Sequence, residues 1–193
     1  MKNKTAFLIL IAAFVVLLTG AGILYSRLSQ SAAPEQLQTE ATPAPDDTAY
    51  QPTKAPDFTV YDREGNAVKL SSFVGKPVVL NFWASWCGPC QMEMPDFDQK
   101  YQELGENVHF LMVNMTDGSR ETVEKAASFI AGKGYRFPVF YDTDTQAAYT
   151  YNVYSLPTTY FIDADGYLVA HATGAISGDT LQRGIDMIYS PAP

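Results

Sequence analysis

At 193 residues, the chain has room for one globular core of about 100 to 150 residues plus appendages, which argues against two independent domains. Nearly half of the residues are apolar and 13% are aromatic, so the folding part has material for a packed core and is not a disordered chain. A net charge of −8, with no cluster of Lys or Arg, speaks against nucleic acid as a partner.

Cysteine usage is more telling than charge. Only two cysteines occur, Cys87 and Cys90, and both lie in one four-residue motif. Structural cystines would be spread along the chain. A structural zinc site wants four Cys or His ligands, and beyond this pair the chain offers only the isolated His109 and His171, so no metal is expected.

The first segment, residues 1–26, carries Lys2 and Lys4 and then an uncharged apolar stretch from Thr5 to Ser26. About 20 residues at a 1.5 Å rise match the ~30 Å hydrocarbon core of a bilayer, so residues 5–26 read as a single membrane anchor. The basic flank places the amino terminus in the cytoplasm and the body on the extracytoplasmic side. A cleaved signal peptide, with small residues at Thr19-Gly20-Ala21 or Gln30-Ser31-Ala32, is the competing reading. The length of the apolar run favours the anchor, and either reading exports the body. No cysteine follows the run, which excludes a lipid-modified cysteine.

Residues 27–56 change to Gln, Ser, Ala, Thr, acidic residues and Pro34, Pro43, Pro45, Pro52 and Pro56. Such a composition buries too little apolar area to offset its ordering entropy and reads as a flexible tether.

The body spans 57–190. Phe58–Tyr61 and Ala67–Leu70 around the turn Asp62-Arg63-Glu64-Gly65 read as a hairpin. Pro77–Ala84 is almost continuously apolar, as expected of a strand buried on both faces. Met92–Leu104 has helical character, Val108–Met115 reads as a strand, and Glu121–Ala131 as a helix ended by Gly132 and Gly134. A short strand at Phe137–Tyr141 and a short helix at Thr143–Tyr151 follow. Thr158–Ile162 and Tyr167–Ala172 form a second hairpin around Asp163-Ala164-Asp165-Gly166, a turn that lacks the further ligands of a calcium loop. A last helix runs from Gly178 to about Tyr189. This order gives an α/β fold, a mixed sheet with helices on both faces.

The motif Trp86-Cys87-Gly88-Pro89-Cys90 falls where the buried strand gives way to a helix. Cys87 is then placed at a helix N-terminus, where unpaired N–H groups and the macrodipole favour the thiolate and bring its ionisation below the ~8.5 of a free cysteine. Cys87 is the expected nucleophile, and Cys90, one turn in and more buried, the resolving thiol. The bland alternative is an inert cystine.

Phe82-Trp83-Ala84-Ser85-Trp86-Cys87-Gly88-Pro89-Cys90 resembles the thioredoxin active site, and from Asp57 to Tyr189 the element order is similar to that of the thioredoxin fold. The N-terminal hairpin, the Glu three residues beyond Cys90, and the αβ insertion between Thr116 and Phe137 resemble the exported TlpA/ResA-like subfamily of membrane-anchored thiol–disulfide oxidoreductases. The resemblance implies protein-disulfide exchange with no cofactor beyond the redox-active Cys87–Cys90 pair. It also implies that Pro157, in Leu156-Pro157-Thr158, is the family's cis-proline, and that Trp86, Gly88, Pro89, Leu156 and Pro157 meet the substrate. The alternative is an ordinary trans-proline before a strand. Pro95 matches the proline that kinks the family's active-site helix.

One position departs from the family pattern. Asn81 stands where cytosolic thioredoxins keep a buried Asp, so Glu93 becomes the candidate proton acceptor for Cys90; the bland reading is a helix-surface charge. His109 and His171 read as structural. Tyr149, Tyr151 and Tyr154 read as packing residues, or as the lining of a substrate groove.

The Gly-Pro pair between the cysteines resembles that of thioredoxin, at about −270 mV, rather than that of strong oxidants near about −120 mV, which implies a reductase. A membrane electron donor of CcdA or DsbD type is then implied, with an apocytochrome c, a methionine sulfoxide reductase or another exported protein as substrate. Two rival functions on the same fold are weighed. A thiol peroxidase of peroxiredoxin type would need a Thr or Ser three residues before the catalytic Cys and a Pro seven before, where this chain has Ala84 and Leu80. A copper-binding chaperone would normally add a His and a longer Cys spacing.

Overall fold

The computed structural model describes residues 37–39 and 53–190. In chain order the strands are β1 (Gln38–Thr39), β2 (Thr59–Tyr61), β3 (Ala67–Lys69), β4 (Val78–Trp83), β5 (His109–Asn114), β6 (Val139–Tyr141), β7 (Thr158–Ile162) and β8 (Leu168–Thr173). The helices are α1 (Gly88–Leu104), α2 (Val123–Lys133), α3 (Gln146–Thr150) and α4 (Gly178–Ile188), with a 3-10 turn at Leu70–Phe73. The strands form one sheet in the order β1-β8-β7-β4-β5-β6-β2-β3. Its centre is parallel, β4 beside β5 and β5 beside β6, while β7 runs antiparallel to β4 and β8 antiparallel to β7. The architecture is the thioredoxin fold with an added hairpin, as the element order implies.

All six residues of β4 are buried, because this strand lies in the middle of the sheet and is covered on both sides. Successive side chains point to opposite faces. Val79 and Trp83 join Met94, Phe97, Phe110, Ala126, Leu181 and Ile185, which places α1, α2 and α4 over one face. Val78, Leu80 and Phe82 join Phe58, Leu70, Leu111, Ala147 and Tyr151 on the other, covered by the short α3 and the 3-10 turn. Each fully buried side chain of this size contributes about 1.5–3 kcal/mol. Asn81 lies by alternation on the same face as Trp83, the one that α1 covers.

The helix ends follow their caps. The Thr122 hydroxyl accepts from the Lys125 N–H to start α2, and Gly134, with φ of 73°, ends it in the left-handed region that glycine tolerates. Gly132, expected as part of that stop, lies inside the helix. α3 is shorter than its apolar pattern suggests: the Asp142 carboxylate accepts from the N–H groups of Ala147 and Ala148 and holds its start at Gln146. α1 begins at Gly88, a turn earlier than the helical periodicity from Met92 shows.

The segment read as a tether contributes two pieces to the sheet. Gln38 and Thr39 pair with His171 and Ala170 at the edge of β8, and Leu37 packs against the core of the α1 face. Closer to the body, the Thr53 carbonyl accepts from the Leu168 N–H, and Ala55 N–H donates to the Gly166 carbonyl, so the contacts of the body reach back to Thr53. An edge strand can add a partner with little side-chain specificity, which is why composition misses it. Among the described residues no helix is long and apolar enough to cross a membrane; the apolar stretch at 5–26 lies outside the described residues.

Gly184 of α4 sits against the ring of Phe161 in β7, so closely that a methyl group would overlap the ring. Gly184→Ala should therefore cost about 1–3 kcal/mol through overpacking. Urea unfolding measures it, and a midpoint equal to that of the wild type would contradict the close packing of α4 on β7.

Candidate active site

β4 ends at Trp83 and the chain turns through Ala84, Ser85 and Trp86 into α1. Cys87 is the N-cap residue, with extended backbone, and its Sγ accepts from the Cys90 N–H at 3.2 Å. Gly88 and Pro89 occupy the first helical turn, where the missing proline N–H costs no hydrogen bond. Cys87 and Cys90 are joined as a disulfide, with a Cα–Cα distance of 5.3 Å. Cys90 is fully buried while Cys87 keeps 5% exposure and lines a cleft of about 540 Å³ with Trp86, Gly88, Pro89 and Leu156. Of the two, Cys87 reaches the cleft and Cys90 does not.

Four of the five residues expected to meet substrate therefore lie in one cleft. The fifth, Pro157, is buried directly behind Leu156, and the Leu156–Pro157 bond is cis. Among the described residues neither the N–H nor the carbonyl of Leu156 has a backbone partner, whereas the Pro157 carbonyl accepts from Gly174 N–H.

Glu93 lies one turn beyond Cys90 and is buried, at 2% exposure; it is not a surface charge. One carboxylate oxygen accepts from Asn81 Nδ2 at 2.8 Å and the other from the Ile176 N–H at 2.9 Å. Asn81 Nδ2 also donates to Thr159 Oγ1 at 3.0 Å, while its Oδ1 has no partner among the described residues. Burial outweighs these two bonds and pushes the Glu93 carboxyl up to about 8. A carboxyl whose ionisation burial has moved up towards neutrality thus sits one turn of α1 beyond Cys90.

A second buried carboxylate, Glu121, holds the front of the site. Its oxygens accept from the Ser85 N–H at 2.8 Å, the Ser85 hydroxyl at 2.7 Å and Asn114 Nδ2 at 2.7 Å. The insertion after β5 is thereby tied to the loop that carries Trp86 and Cys87. Residue 121 reads locally as a helix start, and nothing in the sequence links it to Ser85. Met115, Asp117, Arg120, Val153, Tyr154 and Ser155 complete the cleft lining, and of these only Tyr154 is foreshadowed, in the tyrosine cluster. Tyr151 is core and Tyr149 is exposed. His109 packs on Phe73 and His171 stacks on Tyr160; neither lines the cleft of Cys87. Leu80 and Ala84, the positions where a peroxidase would need Pro and a hydroxyl, are fully buried apolar residues.

This geometry defines a thiol–disulfide oxidoreductase on the thioredoxin fold, and known proteins agree. Residues 52–171 match the AhpC/TSA family. The chain is 37% identical over 128 residues to the thiol-disulfide oxidoreductase ResA of Geobacillus kaustophilus, covering 66% of this chain and 71% of that one. It is 34% identical over 128 residues to ResA of Bacillus subtilis, covering 66% and 69%. Among solved structures it is similar to a thiol:disulfide interchange protein DsbE of Chlorobium tepidum, with a TM-score of 0.62, 31% identity and coverage of 72% of this chain and 96% of that one. It also resembles the exposed lipoprotein thioredoxin Etrx1 of Streptococcus pneumoniae, with a TM-score of 0.58, 34% identity and coverage of 68% and 98%. The chain belongs to the AhpC/TSA family, among its ResA-like thiol–disulfide oxidoreductases.

The raised Glu93 carboxyl makes stability depend on pH. Below the ordinary Glu range both folded and unfolded chains hold this proton, and the folded state bears no cost. As pH rises towards about 8, the unfolded chain releases the proton first, so stability falls with a slope of up to about 1.4 kcal/mol per pH unit, levelling off above that range. Glu93→Gln should remove this component. Urea unfolding of the oxidised proteins from pH 4 to 9 compares them, and parallel curves for variant and wild type would contradict the assignment.

Proposed function

We propose that this chain is an extracytoplasmic, membrane-tethered reductase of protein disulfides. The observation that carries the reading is Cys87 at the cap of α1, exposed to a cleft and bonded to a buried Cys90. Export rests on the apolar run at residues 5–26 and its basic flank. The reducing direction rests on the Gly88-Pro89 pair, which is that of thioredoxin.

In the cycle the reduced pair meets a substrate cystine in the cleft. The Cys87 thiolate attacks one substrate sulfur, forming a Cys87–substrate disulfide and expelling the other sulfur as a thiolate. Cys90 then gives its proton to Glu93 and attacks Cys87 Sγ; the mixed disulfide breaks, the Cys87–Cys90 bond forms and two electrons have passed to the substrate, whose two thiolates take up protons. Glu93 accepts this proton in the role that Asn81, having no carboxylate, cannot fill. Leu156, held by Pro157, offers its backbone groups to an extended substrate segment, and Trp86, Gly88 and Pro89 border the attacked sulfur.

The oxidised pair must be recharged by a dithiol donor outside the cytoplasm, because this chain holds no third cysteine. A membrane electron conduit of CcdA or DsbD type has that chemistry. The substrate class is exported proteins with exposed cystines, such as an apocytochrome c with its haem-binding cysteine pair or a methionine sulfoxide reductase.

The variants separate the two sulfurs. Cys90→Ser should accumulate mixed disulfides through Cys87, visible on non-reducing gels and identifiable by mass spectrometry, and Cys87→Ser should lose all exchange activity. Trapping by Cys87→Ser but not by Cys90→Ser would invert the roles, and absence of trapping by either would remove the reading. For the proton acceptor, Glu93→Gln should slow turnover by about 10- to 100-fold and flatten its pH profile between pH 6 and 9; a profile unchanged from the wild type would take Glu93 out of the mechanism.

A further inference from the structure

The loop between β5 and α2 is fixed from three sides. Asp117 Oδ1 accepts from the N–H groups of Ser119 and Glu121 at 2.7 and 3.0 Å. Lys125 Nζ donates to the carbonyls of Ser119 and Arg120, each at 2.9 Å. The buried Glu121 carboxylate holds Ser85, the residue before Trp86. A loop so pinned presents the Arg120 side chain in one place.

Its guanidinium carbon lies 3.5 Å from the centre of the Trp86 ring, contact distance for a planar cation over an indole. Trp86 is 42% exposed and adjoins Cys87. Arg120 is exposed, makes no ion pair with any described carboxylate, and is the one cation among the described residues lining the cleft. The single anion there, Asp117, turns an oxygen into its own loop. A guanidinium stacked through its face keeps N–H groups at its edge, in the fork that matches a carboxylate.

From these positions the geometry points to Arg120 as a specificity residue that selects substrate segments carrying an acidic side chain beside the attacked cystine. Glu121 is its positioning residue. The peptide lies extended along Leu156, with its cystine sulfur at Cys87 and its carboxylate on Arg120. In a protein with a net charge of −8, long-range forces repel acidic partners, so selection must come from this local contact. The inference rests on the proposed reductase reading, and its test separates the two.

Two synthetic peptides with the same intramolecular disulfide, one with Glu and one with Lys flanking the first cysteine, are compared as substrates of the reduced protein. The wild type should favour the acidic peptide by about 5- to 10-fold in kcat/KM at low ionic strength, mostly through KM. The ratio should approach one in about 0.5 M NaCl, where exposed charge pairs are screened, while Arg120→Gln should abolish it and Arg120→Glu invert it. Reading the ratio within each variant removes general losses of activity, and the salt series on the wild type needs no variant to fold. Equal rates for the two peptides, or a preference that persists in Arg120→Glu, would overturn the selection while leaving the reductase reading in place. Reduction of neither peptide would overturn both.

Discussion

The whole site depends on one capping interaction: the Cys87 sulfur takes the place of the side-chain oxygen that usually receives an N–H at the start of a helix. Because it accepts from Cys90 N–H, the sulfur sits at the N-terminal end of α1, where unpaired donors and the macrodipole favour negative charge. The same interaction sets the distance to Cys90, one turn on, and so makes the two sulfurs a natural pair. Helix geometry thus brings the two sulfurs together at the end of α1 whose dipole favours a thiolate.

Two buried carboxylates hold this junction in place from opposite directions. Glu93 ties α1 to β4 through Asn81 and to the chain entering α4 through the Ile176 N–H. Glu121 ties the insertion to the turn that bears Trp86. A buried carboxylate is costly unless its lone pairs are used, and each of these accepts at least two hydrogen bonds. They differ in surroundings: burial pushes Glu93 up to about 8, while Glu121 uses its oxygens on the Ser85 backbone and hydroxyl and on Asn114 and so ties the insertion to the cleft.

Much of this was legible in the residues alone. A continuous apolar run ending in two cysteines marks a central strand followed by a helix, and the structure has β4 at Val78–Trp83 and α1 from Gly88. The periodic segments were found because their burial repeats along the chain. What the residues alone do not show depends on contacts between residues far apart in sequence. Glu121 reaches back 36 residues to Ser85, Arg120 reaches Trp86 across the same gap between β4 and the insertion, and the short β1 is held by an edge of β8 rather than by its own composition. The surroundings of Glu93 are of this kind too: its oxygens meet Asn81 of β4, 12 residues back, and the Ile176 N–H, 83 residues on.

The account turns on the Cys87 thiol being an accessible nucleophile at a helix N-terminus with a shielded partner behind it. Alkylation of the reduced protein by iodoacetamide as a function of pH, read site by site by mass spectrometry, measures this directly. The account predicts that Cys87 alone is modified, with half-maximal rate below the ~8.5 of a free cysteine, while Cys90 stays protected. Equal modification of both cysteines, or a Cys87 that reacts only above about pH 9, would contradict it.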